Sequence, residues 1–340
     1  MKKKYTNLQK IRTQYQQKRK RNSWIKRKIN NKLLRKLKIV RQKVFDKKVF
    51  INHISPANCS FINNTNEILT YFNEIKAFIA QKQSVKLDIS KITHLTPDMI
   101  TLLLVIFNEK QSKKVGMSGN APNNEALSKM FLSSGFYDNV VSAGIKKVSY
   151  NNKLWKGSRN DKVQGEMASQ ALDRCREIFL KKNIKYDTDP LYNLLSEAMS
   201  NTKNHANNNQ VNTNWSLYWY FDEAEEKLKY SFIDLGIGIF KSASFKTYRE
   251  TINEIFSIGN VLLVKPFLNG DITSSREKDK AISGKGVKQI LSCAKLPEIT
   301  KFIIITNDIK IDVKTQKGTQ LSGNFEGTFI YFEVSFNQKK

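Results

Sequence analysis

The sequence predicts a chain of α/β class, an α+β sandwich, on three observations. Strand-like alternating runs and helix-like amphipathic runs interleave from about residue 65 to the C-terminus. The 340 residues are 40% hydrophobic and 11% aromatic, which is enough apolar material for two ordinary domains. The formal charge of +28 is uneven: residues 1–50 hold 20 Lys and Arg against one acid, Asp46. That imbalance sets the first segment apart from the body. The longest apolar run, residues 102–107, is far shorter than the roughly 18 residues a membrane span requires. No apolar stretch follows the basic N-terminus as a secretory leader would have, so a cytoplasmic protein without a transmembrane segment is expected. Cys59, Cys175 and Cys293 lie far apart and His53, His94 and His205 do not cluster, so the reading is buried thiols, no zinc and a reducing compartment.

Residues 1–48 read as a basic helical arm. Ile25, Ile29, Leu33, Leu37, Val40 and Val44 recur at three or four residues with Lys and Arg between them, which gives an apolar stripe on a cationic helix. Such a helix can clamp a nucleic-acid backbone, lie on an anionic membrane surface, or dock on the body. Trp24 and Tyr15 are available to stack on bases. Nucleic acid is the partner this arm fits first.

Residues 50–145 read as a small α/β domain. Ile68, Phe72, Ile75 and Ile79 mark a helix, and 85–89 alternates as a strand. Thr96 and Pro97 suit a helix start, with Thr96 as cap and Pro97 at the first position. A short strand is expected at 115–117, then a helix over 123–134 closed by Gly135. The stretches VKLDISKITHLTPDMITLLL and KKVGMSGNAPNNEALSKMFLSSGF resemble the STAS (anti-sigma-factor antagonist-like) domain over about ninety residues. The resemblance implies a protein-interaction or self-association module. The family's D-S-S-G-like turn is replaced here by Thr96-Pro97-Asp98-Met99, without the serine and glycine. A polar, turn-rich linker is expected over 140–165.

From about residue 165 the signals carry chemistry. A helix is expected from Glu166 to about Leu180, and Asp189-Pro190 opens another that carries LLSEAMSNTKNHA. Glu197, Asn201 and His205 fall at i, i+4 and i+8 on one face. A carboxylate there can orient and deprotonate a nucleophile, and an amide oxygen is a hard ligand for Mg²⁺. Alternating strands follow at 215–220 and 228–233, and the second ends in Asp234-Leu235-Gly236-Ile237-Gly238-Ile239. An aspartate at a strand end can accept from adenine's exocyclic amine, and the glycines allow backbone to approach a flat ring. After a helical stretch over 250–264 comes a polar segment with Thr273, Ser274 and Arg276. It leads into Ser283-Gly284-Lys285-Gly286-Val287 and a helix from Val287 to about Cys293, a turn that offers free amides to a phosphate. Strands are expected at 301–306 and 327–335, the latter starting Gly327-Thr328-Phe329.

These four signals, in this order over about 140 residues, resemble the GHKL ATPases (gyrase, Hsp90, histidine kinase, MutL and anti-sigma-factor kinases). The resemblance implies a Bergerat-type ATP-binding domain over 160–340, with helices on one face of a mixed sheet. It implies Glu197 as general base and Asn201 as Mg²⁺ ligand, with His205 beside or beneath the phosphates. It implies Asp234 as the adenine contact, with Gly236 and Gly238 along the ring. Ser283, Gly284, Lys285, Gly286 and Val287 would sit at the phosphates, under a lid of about 257–283 to which Thr273, Ser274 and Arg276 would belong. Thr328 matches the threonine of the third glycine box. Asn204 stands where many members carry a basic residue, and Val287 where leucine is usual. ATP and Mg²⁺ are the implied ligands. The expected function is an ATPase acting as a conformational or assembly switch, with dimerisation coupled to the lid. A serine/threonine kinase of anti-sigma type and a nucleotide-binding interaction protein with little turnover are the other two readings.

Overall fold

The computed structural model describes residues 49–108, 115–139, 154–157, 165–204, 215–241, 260–271 and 285–336. The basic arm of 1–48 lies outside the described residues, and the chain from Ile51 onward forms one compact unit. In order, the first elements are β1 (Phe50–Ile54), β2 (Asn58–Cys59), α1 (Thr65–Ala80), β3 (Ser84–Asp88), β4 (His94–Leu95), α2 (Pro97–Asn108), β5 (Met117–Gly119), α3 (Glu125–Ser133) and α4 (Phe136–Asn139). They are followed by β6 (Leu154–Gly157), α5 (Gly165–Lys181), α6 (Asp189–Asn204), β7 (Trp215–Asp222) and β8 (Lys227–Asp234). A 3-10 turn (Asn260–Leu263) leads into α7 (Val264–Asn269), and α8 (Lys285–Cys293), β9 (Ile299–Asp312) and β10 (Lys317–Ser335) complete the chain. Among the described residues no helix is long and apolar enough to cross a membrane.

Two hairpins build the central sheet. A turn over 223–226 joins β7 to β8 and one over 313–316 joins β9 to β10, with Glu226 and Gln316 at φ 50° and 57° where each chain reverses. The strand order is β6-β7-β8-β10-β9, and every pairing is antiparallel. The mixed sheet expected from the resemblance is therefore corrected to an antiparallel one, because each hairpin returns directly on itself and β10 inserts beside β8.

Both faces of this sheet are buried, and strand periodicity divides them. Leu228, Tyr230 and Phe232 of β8, with Phe302 and Ile304 of β9 and Ile330 and Phe332 of β10, face one core shared with α5, α6 and α8. The alternate residues Ile233, Ile303, Ile305, Phe329 and Tyr331 face a second core. That second core is completed by the segment around α1 and α2, through Phe61, Leu69, Phe72, Leu103 and Leu104. The sheet is thus covered on both sides, not on one, and the earlier segment supplies the second cover. Two-sided burial explains why 302–305 and 329–332 read as continuous apolar runs.

Polar links join the same elements. Thr101 and Ser231 share a buried 2.6 Å hydrogen bond between α2 and β8. Lys310 of β9 donates to the carbonyl of Ile62. Lys76 pairs with Glu326 at 3.1 Å, and the Ser322 amide donates to Asn66 at 3.0 Å.

The earlier segment forms its own three-stranded sheet, β1-β3-β5, in which β3 and β5 are parallel. α2 begins at Pro97 as its sequence requires. Thr96 stands just before it: its main-chain carbonyl accepts from the Met99 amide at 3.1 Å, and its hydroxyl donates to the Cys59 carbonyl at 3.4 Å. Asp98 is fully buried and accepts from the amides of Phe61 and Ile62 at 2.6 and 3.2 Å. Burial pushes its carboxyl above the ordinary aspartate range. The Thr96–Met99 turn is therefore an internal brace between α2 and the entry to α1. Gly135, at φ 75°, closes α3 as its position predicts. All three cysteines are buried, and burial pushes each thiol up, to about 11 for Cys59 and about 12 for Cys175 and Cys293.

Candidate functional site

The site is built from the end of β8. Asp234 is that strand's last residue, paired with Trp215 of β7 on one side and Thr328 of β10 on the other. Only 7% of it is exposed. Burial pushes its carboxyl up to about 6, against the pull of the Gly236 amide and of Thr328, which donates through both its hydroxyl and its main chain. The Gly236 amide donates to Oδ1 at 2.8 Å. Asp234, Gly236 and Thr328, three residues expected at one end of a purine pocket, therefore share one hydrogen-bonded cluster.

The chain after Asp234 leaves β8 where its ladder with β10 ends, beside the middle of that strand, and is tied to β9. Gly327, at φ 149°, lies where a Cβ would stand 2.0 Å from the Asp234 carbonyl. Gly238 takes φ 78°, and a Cβ there would meet the Asn307 side chain at 2.5 Å. Both positions demand glycine. The far side of the turn is tied to β9: the Ile239 amide donates to Thr306 Oγ1 at 2.8 Å, and Thr306 donates to the Gly327 carbonyl at 2.9 Å. Asn307 Nδ2 donates to the Ile237 carbonyl at 3.0 Å, and its Oδ1 accepts from the Phe240 amide at 3.0 Å.

Glu197 and Asn201 stand one turn apart on α6, both partly buried. Burial raises the Glu197 carboxyl above the usual glutamate value. α8 packs along α6, and the Cys293 thiol at its end donates to the Pro190 carbonyl at the start of α6, at 2.9 Å. Two helices that meet at those ends and stay packed run in opposite directions. At 1.5 Å per residue, Lys285 lies about 12 Å back along α8 and Glu197 about 10 Å along α6, so the start of α8 is level with the Glu197–Asn201 turn. The turn after α8 leads directly into β9, which ascends to Thr306 opposite Thr328. Among the described residues no hydrogen bond links Glu197 or Asn201 to Asp234; they form two groups.

The expected second glycine turn differs in one respect. Lys285, Gly286 and Val287 already belong to the first turn of α8, so the helix begins two residues before the expected Val287. His205, Ser283, Gly284, Thr273, Ser274 and Arg276 lie outside the described residues. Of the expected lid, 257–283, the residues 260–271 are described, and they are anchored: Leu263, Val264 and Phe267 are buried, Gly270 caps α7 at φ 76°, and Asn260 donates to Asp308. The helix expected over 250–264 is described only at its end, where 260–263 form the 3-10 turn and α7 runs on to Asn269.

Sequence reasoning missed Thr306 and Asn307. A signal existed: Thr-Asn-Asp after four apolar residues marks a place where an asparagine takes positive φ, and Asn307 does so at 54°.

No family model and no curated protein matches the chain, so the site rests on its own residues and their geometry.

Proposed function

We propose that this chain binds ATP with Mg²⁺ and hydrolyses it as a nucleotide-driven switch. The observation that carries this is the Asp234 carboxylate, buried at a strand end under a glycine turn and flanked by Thr328. A buried acceptor beside accessible backbone is what recognition of an amino-purine edge requires. A helix start such as that of α8 is suited to the phosphate end, because the first amides of a helix have no partner within it. Glu197, its proton affinity raised by burial, is suited to draw a proton from a water nucleophile near neutral pH. The Asn201 amide oxygen fits Mg²⁺, which takes few protein oxygens and completes its shell with phosphates and water. When bound, the ion would neutralise charge on the phosphates.

The arm of 1–48, with its dense cationic sequence, supports a nucleic-acid partner, and the segment 50–145 supports a protein partner or homodimer. The test is calorimetric titration of the full chain with MgATP, alongside D234A. Micromolar binding by the wild type and its loss in the variant are expected. A wild type that binds no adenine nucleotide would end the proposal.

A further inference from the structure

Asn307 performs two tasks at one point, and the site depends on both. It is fully buried, with φ 54°, where β9 bends between its pairing with Thr328 and its pairing with Gln320. Its carboxamide also spans the turn that follows Asp234. One end donates to the Ile237 carbonyl and the other accepts from the Phe240 amide, each at 3.0 Å. Gly238 lies between those two contacts, with all three terminal side-chain atoms of Asn307 2.5–2.8 Å from where its Cβ would stand. The side chain is therefore the floor on which the turn rests. Exchanging its oxygen and nitrogen would oppose donor to donor and acceptor to acceptor, so the amide has one orientation.

Glycine would serve the bend alone, and aspartate would satisfy Phe240 while facing the Ile237 carbonyl with a second oxygen. Only asparagine meets both demands. Resting on the nucleotide reading above, we propose that Asn307 is a positioning residue for the purine: its carboxamide sets the height of the 236–240 turn above Asp234 without touching the nucleotide.

The test uses the full chain and two variants, N307G and N307D, with thermal unfolding and calorimetric titration of MgATP and of magnesium tripolyphosphate. Glycine keeps the positive φ and removes the tether, so N307G is expected to unfold cooperatively. It should bind MgATP about tenfold or more weakly. Tripolyphosphate has no base to feel the turn, and its affinity should stay within about twofold of wild type. N307D is expected to show the same split, and it decides the matter if N307G does not fold. Wild-type MgATP affinity in the folded variant would overturn the proposal, as would equal loss of ATP and tripolyphosphate. A wild type that binds tripolyphosphate and no adenine nucleotide would overturn the purine reading and this inference together.

Discussion

Gly327 lies against the main-chain carbonyl of Asp234, and a single added carbon would fall 2.0 Å from that oxygen. The contact exists because β8 ends beside the middle of β10, at the Thr328–Asp234 pair, and it fixes Asp234 relative to Thr328. Gly327 is also at φ 149°, a conformation that L side chains rarely adopt. Gly327→Ala must therefore displace backbone, with no flexible side-chain end to yield. We expect a loss of about 3 kcal/mol or more in denaturant unfolding, with nucleotide binding lost in any folded fraction. A variant of wild-type stability would show that Gly327 does not approach the Asp234 carbonyl this closely.

Asp234 sets stability against recognition. Its folded pKa of about 6 stands above the ordinary 3.8, so the protonated form favours the fold. The penalty is absent below about pH 4, grows between about 4 and 6, and is complete above about 6. Two units correspond to about 3 kcal/mol. Asp234→Asn keeps an oxygen for the Gly236 amide and removes the buried charge. The variant is expected to melt several degrees higher than wild type at pH 7.5, with the difference vanishing near pH 4, and to lose adenine-nucleotide affinity. Equal melting temperatures across that range would show that the carboxylate is not desolvated.

Glu197 is the residue to separate binding from turnover. Glu197→Gln keeps shape and removes the proton acceptor, so MgATP affinity should stay within a few-fold while phosphate release falls by about 100-fold or more. Because burial raises the carboxyl's pKa, the acid limb of kcat in the wild type should lie above the ordinary glutamate value. Phosphate release by the variant at the wild-type rate would exclude Glu197 as the base.

Elements defined by local pattern were legible in the sequence, and those defined by a distant partner were not. The helix openings at Pro97 and Pro190, the Gly135 cap and the apolar runs of β8, β9 and β10 follow from local stereochemistry and periodicity. β6 was hidden because Leu154–Gly157 is four residues in a polar stretch and becomes a strand only by pairing with Leu217 and its neighbours. The outer half of the β9–β10 hairpin was hidden for a similar reason. Residues 314–324 are mostly polar and lie outside the strands expected at 301–306 and 327–335, yet Asn66, Asn73 and Lys76 of α1 hold Ser322, Asn324 and Glu326 across some 250 positions of sequence. Asp234, the glycine turn and Thr328 were legible as residue types. Their convergence depends on β10 lying between β8 and β9, which no local pattern encodes.

The shared second core predicts that residues 160–340 do not fold alone. Without α1 and α2, the side chains of Tyr218, Ile233, Ile303, Ile305, Phe329 and Tyr331 would face water together. At about 25 cal/mol per Å², exposing several such residues is comparable to a whole domain's net stability. The isolated fragment should bind hydrophobic dyes and show no cooperative melt. The Thr101–Ser231 bond probes the same junction inside the intact chain. Thr101→Val leaves a buried Ser231 hydroxyl unpaired and should cost about 1–3 kcal/mol, whereas adding Ser231→Ala should recover part of that loss. A fragment that melts cooperatively at the temperature of the full chain would instead establish 160–340 as an autonomous domain, with the α1–α2 segment a removable cover.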